Sequence, residues 1–154
     1  MDIKRTQNEE MERRKMIDLL KKRVLFICTH NSARSQIAEG LLNSLYGSRY
    51  EAHSAGIAPT AINPYAVRAM AEIGIDISAN RSKSIEEFRG EIFDYVVTVC
   101  DDAREACPFF PGKKVIHKSF QDPSQFRGTD DEILVKVRKV RDEIKGWIES
   151  TFGA

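Results

Sequence analysis

Residues 24–40 read VLFICTHNSARSQIAEG, and this stretch contains the first structural unit of the chain. An apolar run that ends at Cys28 is typical of a strand buried on both faces of a parallel sheet. A loop of small and polar residues follows and reaches Arg34 six positions later. Apolar residues at helical spacing come next and stop at Gly47: Ile37, Leu41, Leu42 and Leu45. The stretch therefore predicts a strand, a loop and a helix, with a thiol and a guanidinium at the two ends of the loop.

Strand and helix patterns alternate along the rest of the chain. Three more strands are predicted, at residues 50–56, 94–100 and 113–118. Three more helices are predicted: one from Pro64 to Gly74 with Asn63 as N-cap, a short one opened by Ser84 and Glu87, and a long one opened by Thr129 and Glu132. This order predicts an α/β fold, a four-stranded parallel sheet with helices on both faces.

Many of the residues that precede the first strand are charged. Residues 8–22 have helix-forming composition, so we expect an N-terminal helical extension over residues 1–22. Residues 23–154 are then long enough to form one domain with a core of ordinary size.

Charge balance and hydropathy exclude several partners. The chain has 24 basic and 23 acidic residues and a net charge of +1, so neither nucleic acid nor an anionic membrane is expected to bind it. No apolar run approaches the roughly 18 residues of a membrane span, and the N-terminus lacks the apolar core of a secretory signal. We expect a cytoplasmic, monomeric protein.

The loop after Cys28 has the composition of an anion-binding site. Its residues are small or tolerate unusual backbone angles: Thr29, His30, Asn31, Ser32 and Ala33. A short loop that closes onto a helix N-terminus turns backbone N–H groups inward and forms a nest for a tetrahedral oxyanion. We expect Asn31 to be left-handed, Arg34 to hold two oxygens of the anion, and these positive surroundings to favour the Cys28 thiolate. Ser35 either donates to the sulfur or caps the helix.

The three cysteines require an explanation of their own. An odd number of cysteines in a reducing compartment does not indicate a disulfide scaffold. Cys28 and Cys100 end two predicted strands, so both thiols are expected at the carboxyl edge of the sheet, where such folds bind ligands. The alternative is that these thiols are inert core residues. Neither a C-x-x-C pair nor histidines at i, i+4 are present, so we expect no metal site.

The pattern from Cys28 to Ser35 resembles the phosphate-binding loop of the low-molecular-weight protein tyrosine phosphatase superfamily. The resemblance extends from Val24 onward and implies that Cys28 is the nucleophile and Arg34 the oxyanion clamp. That family carries a general acid in an Asp-Pro pair, and the segment FQDPSQF supplies Asp122 and Pro123. From the residues alone, an aspartate in a proline-fixed turn is more often structural. An acid that protonates the departing oxygen is nevertheless what displacement at a tetrahedral centre needs.

The segment VVTVCDDAREACPFFPG, residues 96–112, resembles the thioredoxin-coupled arsenate reductases built on the same fold. The segments at 54–57 and 62–78 match as well. The resemblance implies that Cys28 attacks arsenate while Asp122 protonates the leaving hydroxyl, and that Cys100 then attacks Cys28 and arsenite departs. Cys107 next attacks Cys100, and thioredoxin or a similar dithiol protein reduces the resulting disulfide. Phosphate and sulfate are expected to compete for the loop.

The spacing of the last two cysteines adds a geometric condition. If residues 100–107 form a helix in the reduced protein, their α-carbons are roughly 10 Å apart, whereas a disulfide tolerates only about 7 Å. We therefore expect the segment to unwind in part on oxidation.

Two other activities stay open from the sequence. One is a phosphatase that uses Cys28, Arg34 and Asp122 alone, and the other is a redox-sensing or phosphate-binding module that needs no acid at position 122. In some relatives a potassium ion is held at positions that match Asn31, Glu39 and Ser54, but Lys83 replaces an acidic ligand here. Because the Lys83 ammonium could take the place of the cation, we expect no required metal and no cofactor.

Overall fold

The computed structural model describes residues 3–100 and 109–154, with the side chains of all but residues 3–5 and 17–19. The helices in this part of the chain are α1 (Ile3–Leu20), α2 (Arg34–Tyr46), α3 (Pro64–Ala71) and α4 (Asp130–Phe152). The strands are β1 (Lys22–Cys28), β2 (Tyr50–Gly56), β3 (Tyr95–Thr98) and β4 (Lys114–His117). Two short 3₁₀ helices span Ile85–Phe88 and Pro123–Gln125.

The four strands form one parallel sheet in the order β2-β1-β3-β4, which confirms the predicted fold class. In the register, Cys28 of β1 is opposite Gly56 of β2, and Ile27 is opposite Thr98 of β3. Because parallel strands end at the same edge, the loops that follow β1 and β2 lie there together with Val99 and Cys100, which follow β3.

The two faces of the sheet are covered differently. One face carries α2, α3 and α4, which enclose a large apolar cluster with Val24 and Phe26 of β1. On the opposite face, Leu25 and Ile27 pack with the 3₁₀ helix Ile85–Phe88 and with Phe93 and Phe110. In the part of the chain that the structure describes, the second face is thus covered by a short 3₁₀ helix and loops, and α2, α3 and α4 lie on the first.

Several element boundaries differ from the sequence expectation. Helix α3 ends at Ala71, because its chain tightens into i→i+3 hydrogen bonds before Gly74, which has φ +79°. Strand β3 ends at Thr98, so Cys100 lies two residues beyond the strand and not at its last position. Leu45, expected on the apolar stripe of α2, is 39% exposed.

Helix α1 confirms the helical extension, although it begins at Ile3 and ends at Leu20, before β1 starts at Lys22. All of its described side chains are exposed, including Met11, Met16 and Leu20. Within residues 3–100 and 109–154, no helix combines the length and the apolar character that crossing a membrane requires.

Candidate active site

The loop between β1 and α2 has the predicted backbone shape. Cys28 is the last residue of β1, Arg34 is the first residue of α2, and Asn31 has φ 49°. Asparagine tolerates this left-handed conformation better than other non-glycine residues, so the prediction for Asn31 is confirmed. The loop also lies against Gly56, where a Cβ atom would be only 2.6 Å from the Thr29 carbonyl oxygen.

The carbonyl oxygens of residues 29–33 all accept hydrogen bonds from the chain beyond the loop. The donors are, in order, Ala58 N, Thr60 N, Ser82 Oγ, Asn63 N and Ile37 N. In a trans peptide, the N–H of the next residue points away from the carbonyl oxygen. The amides of residues 30–34 are therefore turned away from the surrounding chain, which is the arrangement expected of an anion nest.

A chain of hydrogen bonds orients the Cys28 sulfur. Asn31 Nδ2 donates to Ser35 Oγ at 2.8 Å, and Ser35 Oγ lies 2.8 Å from Cys28 Sγ. Because the Asn31 amide nitrogen can only donate, the Ser35 oxygen accepts from it, and the Ser35 hydroxyl hydrogen is left for the sulfur. The hydroxyl therefore holds the sulfur in a fixed position at the cavity. Ser35 thus binds the sulfur and does not cap α2, whose N-cap position is Ala33.

Arg34 and Asp122 lie on the same side of this loop. The Arg34 side chain is 3% exposed, its Nη1 donates to the Phe120 carbonyl at 3.3 Å, and its Nη2 lies 3.7 Å from Asp122 Oδ2. Asp122 also accepts from the Ser124 backbone N–H at 3.0 Å and so caps the 3₁₀ helix Pro123–Gln125. Asp122 therefore caps the 3₁₀ helix and also lies beside the Cys28 loop.

These groups line a cavity of about 250 Å³. Its lining consists of Cys28, His30, Ser32, Ala33, Arg34, Thr60, Asn63, Asp122 and Ser124. A thiol, a guanidinium and a carboxyl group around one cavity suit nucleophilic attack on a bound tetrahedral oxyanion, with a nearby acid for the leaving group. The predicted loop residues Thr29, Asn31 and Ser35 lie outside this lining.

The His30 ring, which lines the cavity, is held by a hydrogen bond to a backbone carbonyl group. Its Nδ1 lies 3.0 Å from the Ala58 carbonyl oxygen, and a carbonyl only accepts, so Nδ1 carries the hydrogen. This contact fixes the orientation of the imidazole ring beside Cys28.

The cysteines have different states. Cys28 is buried and free, whereas Cys100 is buried and part of a disulfide bond. Val99 N donates to Ile27 O at 2.9 Å, so the chain before Cys100 runs beside the end of β1. Cys28 at the end of β1 and Cys100 two residues beyond β3 thus lie at the same edge of the sheet, as the sequence predicts. Cys107 lies in residues 101–108, outside the described residues, and so does the segment whose unwinding on oxidation is expected.

Two of the three residues considered above for potassium, Asn31 and Glu39, interact with Lys83. Lys83 N donates to Asn31 Oδ1 at 2.9 Å, and Lys83 Nζ donates to Arg81 O at 3.1 Å. Burial raises the pKa of Glu39, and the nearby Lys83 charge opposes that rise. Among residues 3–100 and 109–154, no group of three or more His, Cys, Asp or Glu side chains could hold a metal ion.

Two residues that support the loop were not identified from the sequence. Gly56 allows the close approach of the loop, and the fully buried amide of Gln36 bonds to Asn31. The buried contacts of Gln36 join segments far apart in sequence, so the sequence carries no signal for them.

The chain is similar to known proteins in family, sequence and structure. Residues 23–149 match the model of the low molecular weight phosphotyrosine protein phosphatase family. An arsenate reductase of Halalkalibacterium halodurans is 46% identical over 125 residues, which are 80% of this chain and 90% of that protein.

Two solved structures are similar as well. An arsenate reductase in the phosphate binding state is 30% identical with a TM-score of 0.70, over 84% of this chain and 95% of that one. The thioredoxin-dependent arsenate reductase of Corynebacterium glutamicum is 31% identical with a TM-score of 0.56, over 85% of this chain and 63% of that one.

Proposed function

Because the chain belongs to the low molecular weight phosphotyrosine protein phosphatase family, we propose that it uses this family's loop to reduce arsenate to arsenite, with thioredoxin or a similar dithiol protein as reductant. The similar proteins that are arsenate reductases, one of them thioredoxin-dependent, support this substrate and this partner. The phosphate-binding relative supports competition by phosphate.

One observation carries the proposal: the free thiol of Cys28 lies in the anion cradle, while a second buried cysteine at the same edge of the sheet is in a disulfide. A phosphatase needs only the first thiol. Reduction of arsenate takes two electrons, which two thiols provide when they form one disulfide. We propose that Cys100 and Cys107 are the two thiols that form this disulfide during the reaction, as the resemblance to the thioredoxin-coupled arsenate reductases implies.

The proposed reaction begins with anion binding. The loop amides and Arg34 bind arsenate, and the Cys28 thiolate attacks arsenic to form a sulfur–arsenic bond. Asp122 protonates the hydroxyl group that leaves as water. The Ser35 hydroxyl, 2.8 Å from the sulfur, orients it for the attack.

The electron transfer follows in the second step. The Cys100 thiolate attacks Cys28 Sγ, the sulfur–arsenic bond breaks, and its electron pair leaves with arsenic as arsenite. Cys107 then attacks Cys100, which releases the Cys28 thiolate and leaves the Cys100–Cys107 disulfide. The external dithiol reduces this disulfide and returns the protein to its starting state.

A phosphatase is the second candidate, because the family model is that of a phosphatase and the Cys28, Arg34 and Asp122 cavity contains every group such a reaction needs. In that case Cys28 forms a phosphocysteine that water hydrolyses, and Cys100 and Cys107 have no role.

A coupled assay decides between the two functions. The purified protein is mixed with arsenate, thioredoxin, thioredoxin reductase and NADPH, and in parallel with an aryl phosphate. Arsenate-dependent NADPH oxidation supports the proposal. NADPH oxidation at background level together with rapid release of the aryl alcohol would replace it with the phosphatase.

A further inference from the structure

Gln36 is a fully buried polar side chain in the first turn of α2, and no step of the proposed reaction uses it. Its Nε2 lies 2.9 Å from Asn31 Oδ1 and 3.3 Å from the Asn31 carbonyl oxygen. The same nitrogen lies 3.1 Å from the Arg81 carbonyl oxygen, and its Oε1 accepts from Asn80 Nδ2 at 3.2 Å. One amide therefore connects the Cys28 loop to the segment 80–83.

Asn31 is the residue of the loop that most needs such support. Its left-handed backbone costs free energy in any residue other than glycine and persists only where neighbours hold it. The orientation of its side-chain amide matters too. Gln36 Nε2 and Lys83 N both donate to the same atom of Asn31, so this atom is the oxygen. The amide nitrogen must then face Ser35.

This orientation determines which way the Ser35 hydroxyl points. Once Ser35 Oγ accepts from Asn31 Nδ2, its own hydrogen is available for Cys28 Sγ. Were the Asn31 amide reversed, its oxygen would accept the Ser35 hydrogen, and the sulfur would lose its donor.

We propose that Gln36 is a positioning residue that fixes the backbone and the amide orientation of Asn31 and thereby keeps the Ser35 hydroxyl donating to Cys28. Gln36 itself lies outside the cavity lining and touches no substrate. The inference rests on the proposed function only in taking Cys28 as the nucleophile.

Removal of the Gln36 amide leaves every partner with another hydrogen bond. Those bonds are Ser82 Oγ to Asn31 O at 2.9 Å, Lys83 N to Asn31 Oδ1 at 2.9 Å, Lys83 Nζ to Arg81 O at 3.1 Å and Asn80 Nδ2 to Glu39 Oε2 at 3.3 Å. Methionine has a length similar to that of glutamine and suits a buried position. Gln36→Met should therefore fold without stranding a buried acceptor, and its effect on Cys28 can be separated from unfolding.

The test is the rate of Cys28 alkylation by iodoacetamide as a function of pH, followed by peptide mass spectrometry with and without phosphate. We expect Gln36→Met to move the pH of half-maximal rate upward by about one unit, which slows alkylation about tenfold below that pH. Half protection by phosphate should need about ten times more of the anion, because the loop is less well ordered.

A matched control lies on the same helix. The Asn43 amide exchanges two hydrogen bonds with the backbone of Ala52, outside the Cys28 loop, so Asn43→Ala also removes buried side-chain hydrogen bonds from α2. It should leave the alkylation profile of Cys28 unchanged. If Cys28 of the wild-type protein is reactive and Gln36→Met has the same alkylation profile, the inference about Gln36 is overturned and the proposed function is not. A wild-type Cys28 that titrates as an ordinary thiol and gains no protection from phosphate overturns both the inference and the proposed function.

Discussion

Replacement of Gly56 by alanine should displace the Cys28 loop. A Cβ atom at this position would lie 2.6 Å from the Thr29 carbonyl oxygen, 2.8 Å from the Cys28 carbonyl oxygen and 2.9 Å from Asn31 N. Ordinary contact begins at 3.4 Å, and all three atoms belong to the backbone, so no side-chain rotation removes the clash. The loop and β2 must therefore separate by roughly 0.5–0.8 Å at their closest point.

The size of this displacement determines how much catalytic activity and stability the Gly56→Ala protein should lose. A misplacement approaching 1 Å at a reacting group can cost about a hundredfold in rate, so kcat/KM for arsenate should fall about 10- to 100-fold. Overpacking of a tight contact should also lower the free energy of unfolding by about 1–3 kcal/mol. Coupled NADPH oxidation measures the first quantity, and urea unfolding measures the second.

Gly146→Ala is the control for the glycine substitution itself. Gly146 lies within α4, and a Cβ atom there would meet nothing within 4 Å. Its replacement should raise the free energy of unfolding by up to about 1 kcal/mol and leave kcat/KM unchanged. A Gly56→Ala protein with wild-type kcat/KM and wild-type phosphate protection of Cys28 would refute the reasoning that close packing at Gly56 shapes the loop.

Three further substitutions test single contacts. Arg34→Lys keeps the charge but loses the planar fork, so half protection of Cys28 from alkylation should need about ten times more phosphate. Asp122→Asn can still accept the Ser124 N–H but cannot release a proton, so kcat for arsenate should fall about 100-fold in steady-state assays while the melting temperature stays constant. A hydrogen bond from Arg138 lowers the pKa of Glu72 from 4.5 to about 2. A lowered carboxyl pKa stabilises the fold above pH 4.5, and this contribution is lost as the pH falls to about 2, so Glu72→Gln should flatten the decline of melting temperature over this range.

For each of these three substitutions, one result would contradict the prediction. An Arg34→Lys loop that binds phosphate as tightly as the wild type would contradict the clamp. An unchanged kcat in Asp122→Asn would show that Asp122 is not the general acid. An unchanged decline of melting temperature with falling pH in Glu72→Gln would show that the pair of Glu72 and Arg138 does not cause this decline.

The sheet and the loop could be predicted because their signals are local. A continuous apolar run into Cys28 is sufficient to predict a buried parallel strand, and an asparagine in a short loop before a helix predicts a left-handed residue. The N-caps Asn63 and Thr129 were also predictable, since their side chains bond within three residues of their own position.

The supporting contacts of the loop could not be predicted, because they join segments far apart in sequence. Gln36 bonds to Arg81, and Gly56 packs against residues 28–31, and neither contact has a periodic signature. The end of β3 was missed for a related reason. Its neighbour β4 ends at His117, which is opposite Thr98, so the ladder stops there although the apolar sequence continues to Cys100.

The most direct test of the account is a single exposure of the reduced protein to arsenate, followed by arsenite quantification and non-reducing peptide mass spectrometry. The relay predicts that Cys107→Ser releases one equivalent of arsenite and traps a disulfide between Cys28 and Cys100, whereas Cys100→Ser releases none. A Cys100→Ser protein that released stoichiometric arsenite without added small thiols would contradict the assignment of Cys100 and, with it, the order of the relay.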